Sequence, residues 1–104
     1  MAKTVSDPLS NEIIIPQSVL DFNKEIIQSE DVMDDISKVI ERPIMLFRIK
    51  EGKTKFYYLR AVGWNKTMLI GVQEINNKLE VVDYEIDPCI EKITELHLKF
   101  ERLI

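Results

Sequence analysis

PIMLFRIKEGKTKFYYLRAVGWNKTMLIGVQEINNKLEVVDYEI, residues 43–86, is the stretch whose reading decides the fold. β-Branched and aromatic residues dominate four runs in it, 43–50, 55–62, 67–74 and 79–86. Turn formers separate them: Glu51-Gly52-Lys53, Gly63-Trp64-Asn65-Lys66 and Asn76-Asn77-Lys78. A parallel crossover needs about a dozen residues. The connections are shorter than that, so the spacing predicts an antiparallel meander.

Both faces of this meander are apolar. Ile44, Leu46 and Arg48 point one way while Met45, Phe47 and Ile49 point the other. Met68, Ile70 and Val72 likewise oppose Leu69 and Gly71. A sheet with one wet face alternates more cleanly. Helices are therefore expected on one side, and on the other either closure into a small barrel or a second copy of the chain. Gly71 within its strand suits a sharp bend or a close backbone approach.

Residues 1–10 are polar, contain Pro8 and read as a disordered tail. Residues 11–17 read as an extended arm, because Ile13, Ile14 and Ile15 before Pro16 are too apolar for a free terminus. Either the arm packs on its own domain as an edge strand ended by Pro16, or it is donated to a partner chain. The second reading makes Ile13, Ile14 and Ile15 the candidate partner-binding residues. Residues 18–41 read as helical. Val19, Leu20, Phe22, Ile26 and Ile27 form one stripe, and Val32, Met33, Ile36, Val39 and Ile40 another after the polar break at 28–31. Two helices, 18–28 and 31–41, or one helix with a polar turn fit equally, with Ser29 or Asp31 capping the second and Pro43 stopping it.

Residues 87–104 keep two readings open. Asp87-Pro88 reads as an N-cap followed by proline at the first helical position, and Cys89, Ile93, Leu96, Phe100 and Leu103 share one helical face. Leu96, Leu98 and Phe100 also alternate with polar residues, as in a closing strand. The expected fold is α+β, in one domain of 104 residues. An N-terminal helical segment leads into a four-stranded antiparallel meander, five-stranded if it closes into a barrel, and then a C-terminal helix or closing strand.

This order of elements resembles WYL domains and other Sm-like, SH3-like small barrels over about residues 32–98. The Trp-Tyr-Leu triplet that names the first family is replaced by Thr67-Met68-Leu69-Ile70, and no ligand-contacting residues carry over. The resemblance implies a five-stranded barrel, closed by a strand at residues 90–96, with a sensing or nucleic-acid-linked regulatory role.

Hydrophobic residues make up 45% of the chain, enough for one core. No apolar run reaches the ~18 residues of a membrane span, and residues 1–10 lack the apolar centre of a signal peptide. A single cysteine, Cys89, excludes an intrachain disulfide and fits a reducing compartment. The expected location is cytoplasmic, away from membranes. The net charge of −4 is unevenly spread. Residues 1–41 hold three lysines against nine acids, residues 42–73 seven bases against Glu51 alone, and residues 74–104 four bases against eight acids. Such asymmetry bears on partners and self-association.

Catalytic equipment is sparse. His97 is the only histidine and reads as a surface or packing residue. Cys89 reads as a buried structural thiol, since a nucleophile needs a base. No glycine-rich phosphate loop and no Cys/His zinc set occurs. Asp31, Asp34 and Asp35 lack the spacing of a calcium loop and read as a solvated helix face. No catalytic residue, metal or cofactor is expected.

One constellation is distinctive. Arg48, Lys50, Lys53, Lys55 and Arg60 are interleaved with Tyr57, Trp64 and other aromatics. Cations neutralise phosphates and aromatic faces stack on bases, so these seven residues are candidate nucleic-acid contacts. The alternative is a basic sheet offset by acidic helices. The leading expectation is a non-enzymatic protein-interaction module that binds a protein partner or itself as a homodimer. The alternatives are a nucleic-acid-binding or regulatory small barrel, and an acidic inhibitor or antitoxin-like protein presenting the carboxylates of residues 21–41.

Overall fold

The structure, a computed structural model, describes residues 3–16, 18, 31–51, 53–62 and 66–104, with the backbone alone at 31–33, 50, 51, 53 and 54. The expected helix at 18–28, the Ser29 cap and the turns through Gly52 and Gly63–Asn65 lie outside the described residues.

The chain opens on strands. β1 (Lys3–Ser6) and β2 (Glu12–Ile15) form a hairpin, and α1 (Asp31–Glu41) follows. Then come β3 (Met45–Glu51), β4 (Lys53–Ala61), β5 (Thr67–Ile75) and β6 (Lys78–Ile86), α2 (Ile90–Lys99) and the short β7 (Glu101–Arg102). They build one seven-stranded sheet in the order β1-β2-β6-β5-β4-β3-β7. Every neighbouring pair is antiparallel except β2 and β6, where Ile13 pairs with Leu79 and Ile14 with Glu80 in parallel.

This corrects the expected fold class. The sheet is mixed and open with seven strands, not a meander of four, and it does not close as a five-stranded barrel. Two strands precede the helix, so no helical segment leads the described chain. Residues 3–6, expected as part of a tail, are a sheet edge. The arm at 12–15 lies between β1 and β6, so it is not an edge strand. The cause is long-range. β2 supplies Ile13 and Ile15 to a core that β3–β6 alone leave uncovered, and β1 then caps the backbone of β2.

Two apolar layers result. On one face, Ile36, Val39 and Ile40 of α1 pack with Ile13, Ile15, Leu46, Phe56, Tyr58, Met68, Ile70 and Val72. Their positions in α1, at i, i+3 and i+4, form one stripe, while Asp34, Lys38 and Glu41 stay exposed. On the other face, Leu96 of α2 seals Phe47, Leu59 and Leu69, with Ile93 and Phe100 alongside. The second cover is therefore the chain's own C-terminal helix, neither barrel closure nor a second copy.

Local chemistry explains the punctuation. Asn76 and Asn77 have φ of 52° and 66°, the left-handed pair of a two-residue hairpin turn between Ile75 and Lys78. A register shift follows Gly71, and a Cβ there would meet the Asp83 carboxylate lying over it. Asp87 does not cap α2. It adopts φ 51°, its Oδ1 accepts the Thr67 N–H at 3.0 Å, and Cys89 takes the N-cap position. The C-terminal stretch resolves into both forms: helix over Ile90–Lys99, then Glu101 and Arg102 paired with Arg48 and Phe47.

Candidate functional site

Among the described residues, the basic-hairpin side chains of Arg48, Lys55, Tyr57 and Arg60 do not converge. Arg48 stands on the α1 face opposite Phe56, and its Nη2 donates to Glu101 Oε2 at 3.0 Å. Lys55 and Tyr57 stand on the other face, with the Lys55 ammonium 5.2 Å from the Tyr57 ring and that ring edge-on to Phe100. Arg60 lies seven residues along β4 from Lys53, about 24 Å at the rise of a strand. Its Nη1 donates to the Arg42 carbonyl at 2.8 Å, beyond the end of α1. The side chains of Lys50 and Lys53, and Trp64, lie outside the described residues.

The isoleucines of the arm also separate. Ile13 and Ile15 are wholly buried in the chain's own core, and Ile14 is half-buried on the opposite face. Ile13 and Ile15 therefore spend their apolar surface within the chain.

His97 is exposed, with its ring edge-on to Phe47 at 5.0 Å. Cys89 is exposed rather than buried, because it precedes the helix whose face makes the core contact. Eight residues separate these two, about 12 Å along a helix, too far for a thiol and its base to share a proton. Asp34 is exposed and 4.0 Å from Lys3 Nζ.

Asp7 and Tyr58 form a buried polar pair. The phenol donates to Asp7 Oδ2 at 2.7 Å. Asp7 also accepts from the N–H groups of Leu9 and Asn11 and from Asn11 Nδ2. The carboxylate thus ties the β1–β2 loop to the middle of β4. Burial, then the hydrogen bond to Asp7 and its charge, push the Tyr58 phenol well above its ordinary value.

α2 presents a different surface. It is docked by Leu96 and by Lys92, whose ammonium sits 2.7 Å from Glu85 on β6, a bond that raises the lysine's pKa. Ile90 and Leu98 are 78% and 82% exposed, the most exposed large apolar residues among those described. With Thr94 between them they recur every four residues along the side away from the sheet. Glu91, Glu95 and Lys99 flank this stripe, with Lys99 Nζ 2.6 Å from Glu95. That shared bond holds Glu95 below and Lys99 above their ordinary values.

A second surface feature is a pocket of about 290 Å³ lined by Lys38, Glu41, Arg42 and Arg60. Lys38 and Arg42 are one helical turn apart, joined by the Arg42 N–H to Lys38 carbonyl bond of 2.9 Å. Arg60 arrives from β4.

Comparison with family models, with curated proteins and with solved structures finds no match.

Both surfaces escape the sequence reading. The alternation of Leu96, Leu98 and Phe100 masks the outward stripe, whose signal is the four-residue recurrence of Ile90, Thr94 and Leu98. The spacing of Lys38 and Arg42 predicts a shared helix side, but nothing local announces Arg60 beside them.

Proposed function

We propose that the chain is a non-catalytic protein-interaction module that pairs with a second copy of itself through the outer side of α2. The exposure of Ile90 and Leu98 on one side of the helix carries this reading. The two side chains stand about 12 Å apart along the helix with Thr94 between them, so the stripe is narrow and short. An antiparallel pair centred on Thr94 sets Ile90 against Leu98 of the second copy. It also runs the helix dipoles antiparallel, each positive end beside a negative one. The contact is isologous, so it closes as a two-fold dimer.

Size sets the strength. A helix of ten residues is about 15 Å long. Its outer side falls short of the ~800 Å² per partner of a standard stable interface. The dimer is therefore weak and concentration-dependent. Sedimentation equilibrium from about 10 μM to about 1 mM should show reversible association, weakened at least tenfold (about 1.4 kcal/mol) by Leu98→Glu. Ile90→Glu should weaken it as well, because Ile90 faces Leu98 of the second copy across the pair. A strict monomer across this range, or association indifferent to Leu98→Glu, rules the reading out.

A further inference from the structure

The pocket at the end of α1 concentrates charge against the trend of the chain. Three cations, Lys38, Arg42 and Arg60, surround it with one carboxylate, Glu41, a formal +2 on a protein of net −4. Among the described residues none of the three cations has an ion-pair partner. The C-terminal end of a helix dipole contributes about −0.5 there, so the site stays clearly positive. Arg60 is pre-positioned: its bond to the Arg42 carbonyl fixes the guanidinium at the pocket wall without using a carboxylate. Two guanidinium forks and an ammonium match the oxygens of a phosphate group, which Arg binds bidentately and Lys as a point charge. A phosphate monoester, near −2 at neutral pH, balances the pocket where a single carboxylate leaves it positive.

We infer that Lys38, Arg42 and Arg60 form a binding site for a phosphate group. This is independent of pairing through α2, which lies on the opposite face of the sheet. The test is titration of the ¹⁵N-labelled chain with inorganic phosphate, O-phosphoserine and acetate at matched ionic strength. Phosphate should give saturable shifts at the amides of Lys38 and Arg42 and at Arg60 Nε. Lys38→Gln and Arg42→Gln should weaken binding at least fivefold each. Both side chains are exposed, so these variants keep the core intact. Glu41→Gln should tighten it several-fold, a gain that misfolding does not produce. Tighter binding of O-phosphoserine assigns the ligand to a phosphorylated side chain, and tighter inorganic phosphate to the free ion. Non-saturating shifts, equal affinity for acetate, or no response to Lys38→Gln and Glu41→Gln would overturn the assignment.

Discussion

At the scale of single residues, Asp7 and Tyr58 matter most to the fold. A buried carboxylate is costly unless its oxygens are satisfied; Asp7 accepts four hydrogen bonds, one of them from a phenol with no exposed surface. Removing the phenol oxygen with Tyr58→Phe should cost about 1.5–3 kcal/mol at neutral pH, the range for a hydrogen bond to a charged group. The pH dependence follows from the raised phenol pKa. The folded chain keeps Tyr58 protonated while the unfolded chain ionises it near pH 10. Its contribution is fully present below about pH 10 and is lost as pH rises further, at up to ~1.4 kcal/mol per pH unit. Urea denaturation at pH 8 and pH 11 should therefore show the gap between the parent and Tyr58→Phe shrinking at the higher pH. A constant gap would mean that the phenol is not held neutral by the fold. Nothing local in the sequence signals this pair, because Asp7 sits in a polar stretch that reads as a tail and meets β4 only through tertiary folding.

At the scale of elements, β2 and α2 each resolve an ambiguity that periodicity leaves open. Three consecutive isoleucines fit a packed strand or, as the alternative, a donated one. The parallel pairing with β6 turns Ile13 and Ile15 inward and leaves Ile14 on the other face. Ile13→Ala should cost about 2–5 kcal/mol, the range for truncating a buried isoleucine, and Ile14→Ala well under half as much by chemical denaturation. Equal costs would contradict this register. In α2 the strand-like alternation of Leu96, Leu98 and Phe100 is incidental. Leu96 is buried and Leu98 points away from the sheet, as residues two apart on a helix do. The strand pattern reappears only at Glu101, after the helix ends at Phe100, whose N–H bonds the Leu96 carbonyl.

At the scale of the whole molecule, β5 is the most enclosed strand, flanked by β4 and β6 and covered on both faces by apolar side chains. α2 lies over the second face through one buried residue and a few half-buried ones. Native-state hydrogen exchange should reflect this: amides of Leu69–Val72 should exchange only by global unfolding, and those of α2 at least tenfold faster through local opening. Equal protection would mean that α2 is integral to the core. The charge asymmetry is also settled in space. Among the described side chains, Arg48 and Arg60 stand on the α1 face and Lys55 on the other, because side chains alternate along a strand.

The sequence by itself determined the strand character of residues 43–86, the stop at Pro43 and the helical stripe of Ile36, Val39 and Ile40. Each of these is written in neighbours a few residues apart, where turn chemistry and side-chain periodicity act directly. Only the tertiary structure decided that Ile13 lies beside Leu79, that Asp7 meets Tyr58, that α2 covers the second face, and that Arg60 joins Lys38 and Arg42 at one pocket. Those contacts join distant parts of the chain. They form because burying apolar surface outweighs the entropy of closing long loops, a balance that no short window of residues records.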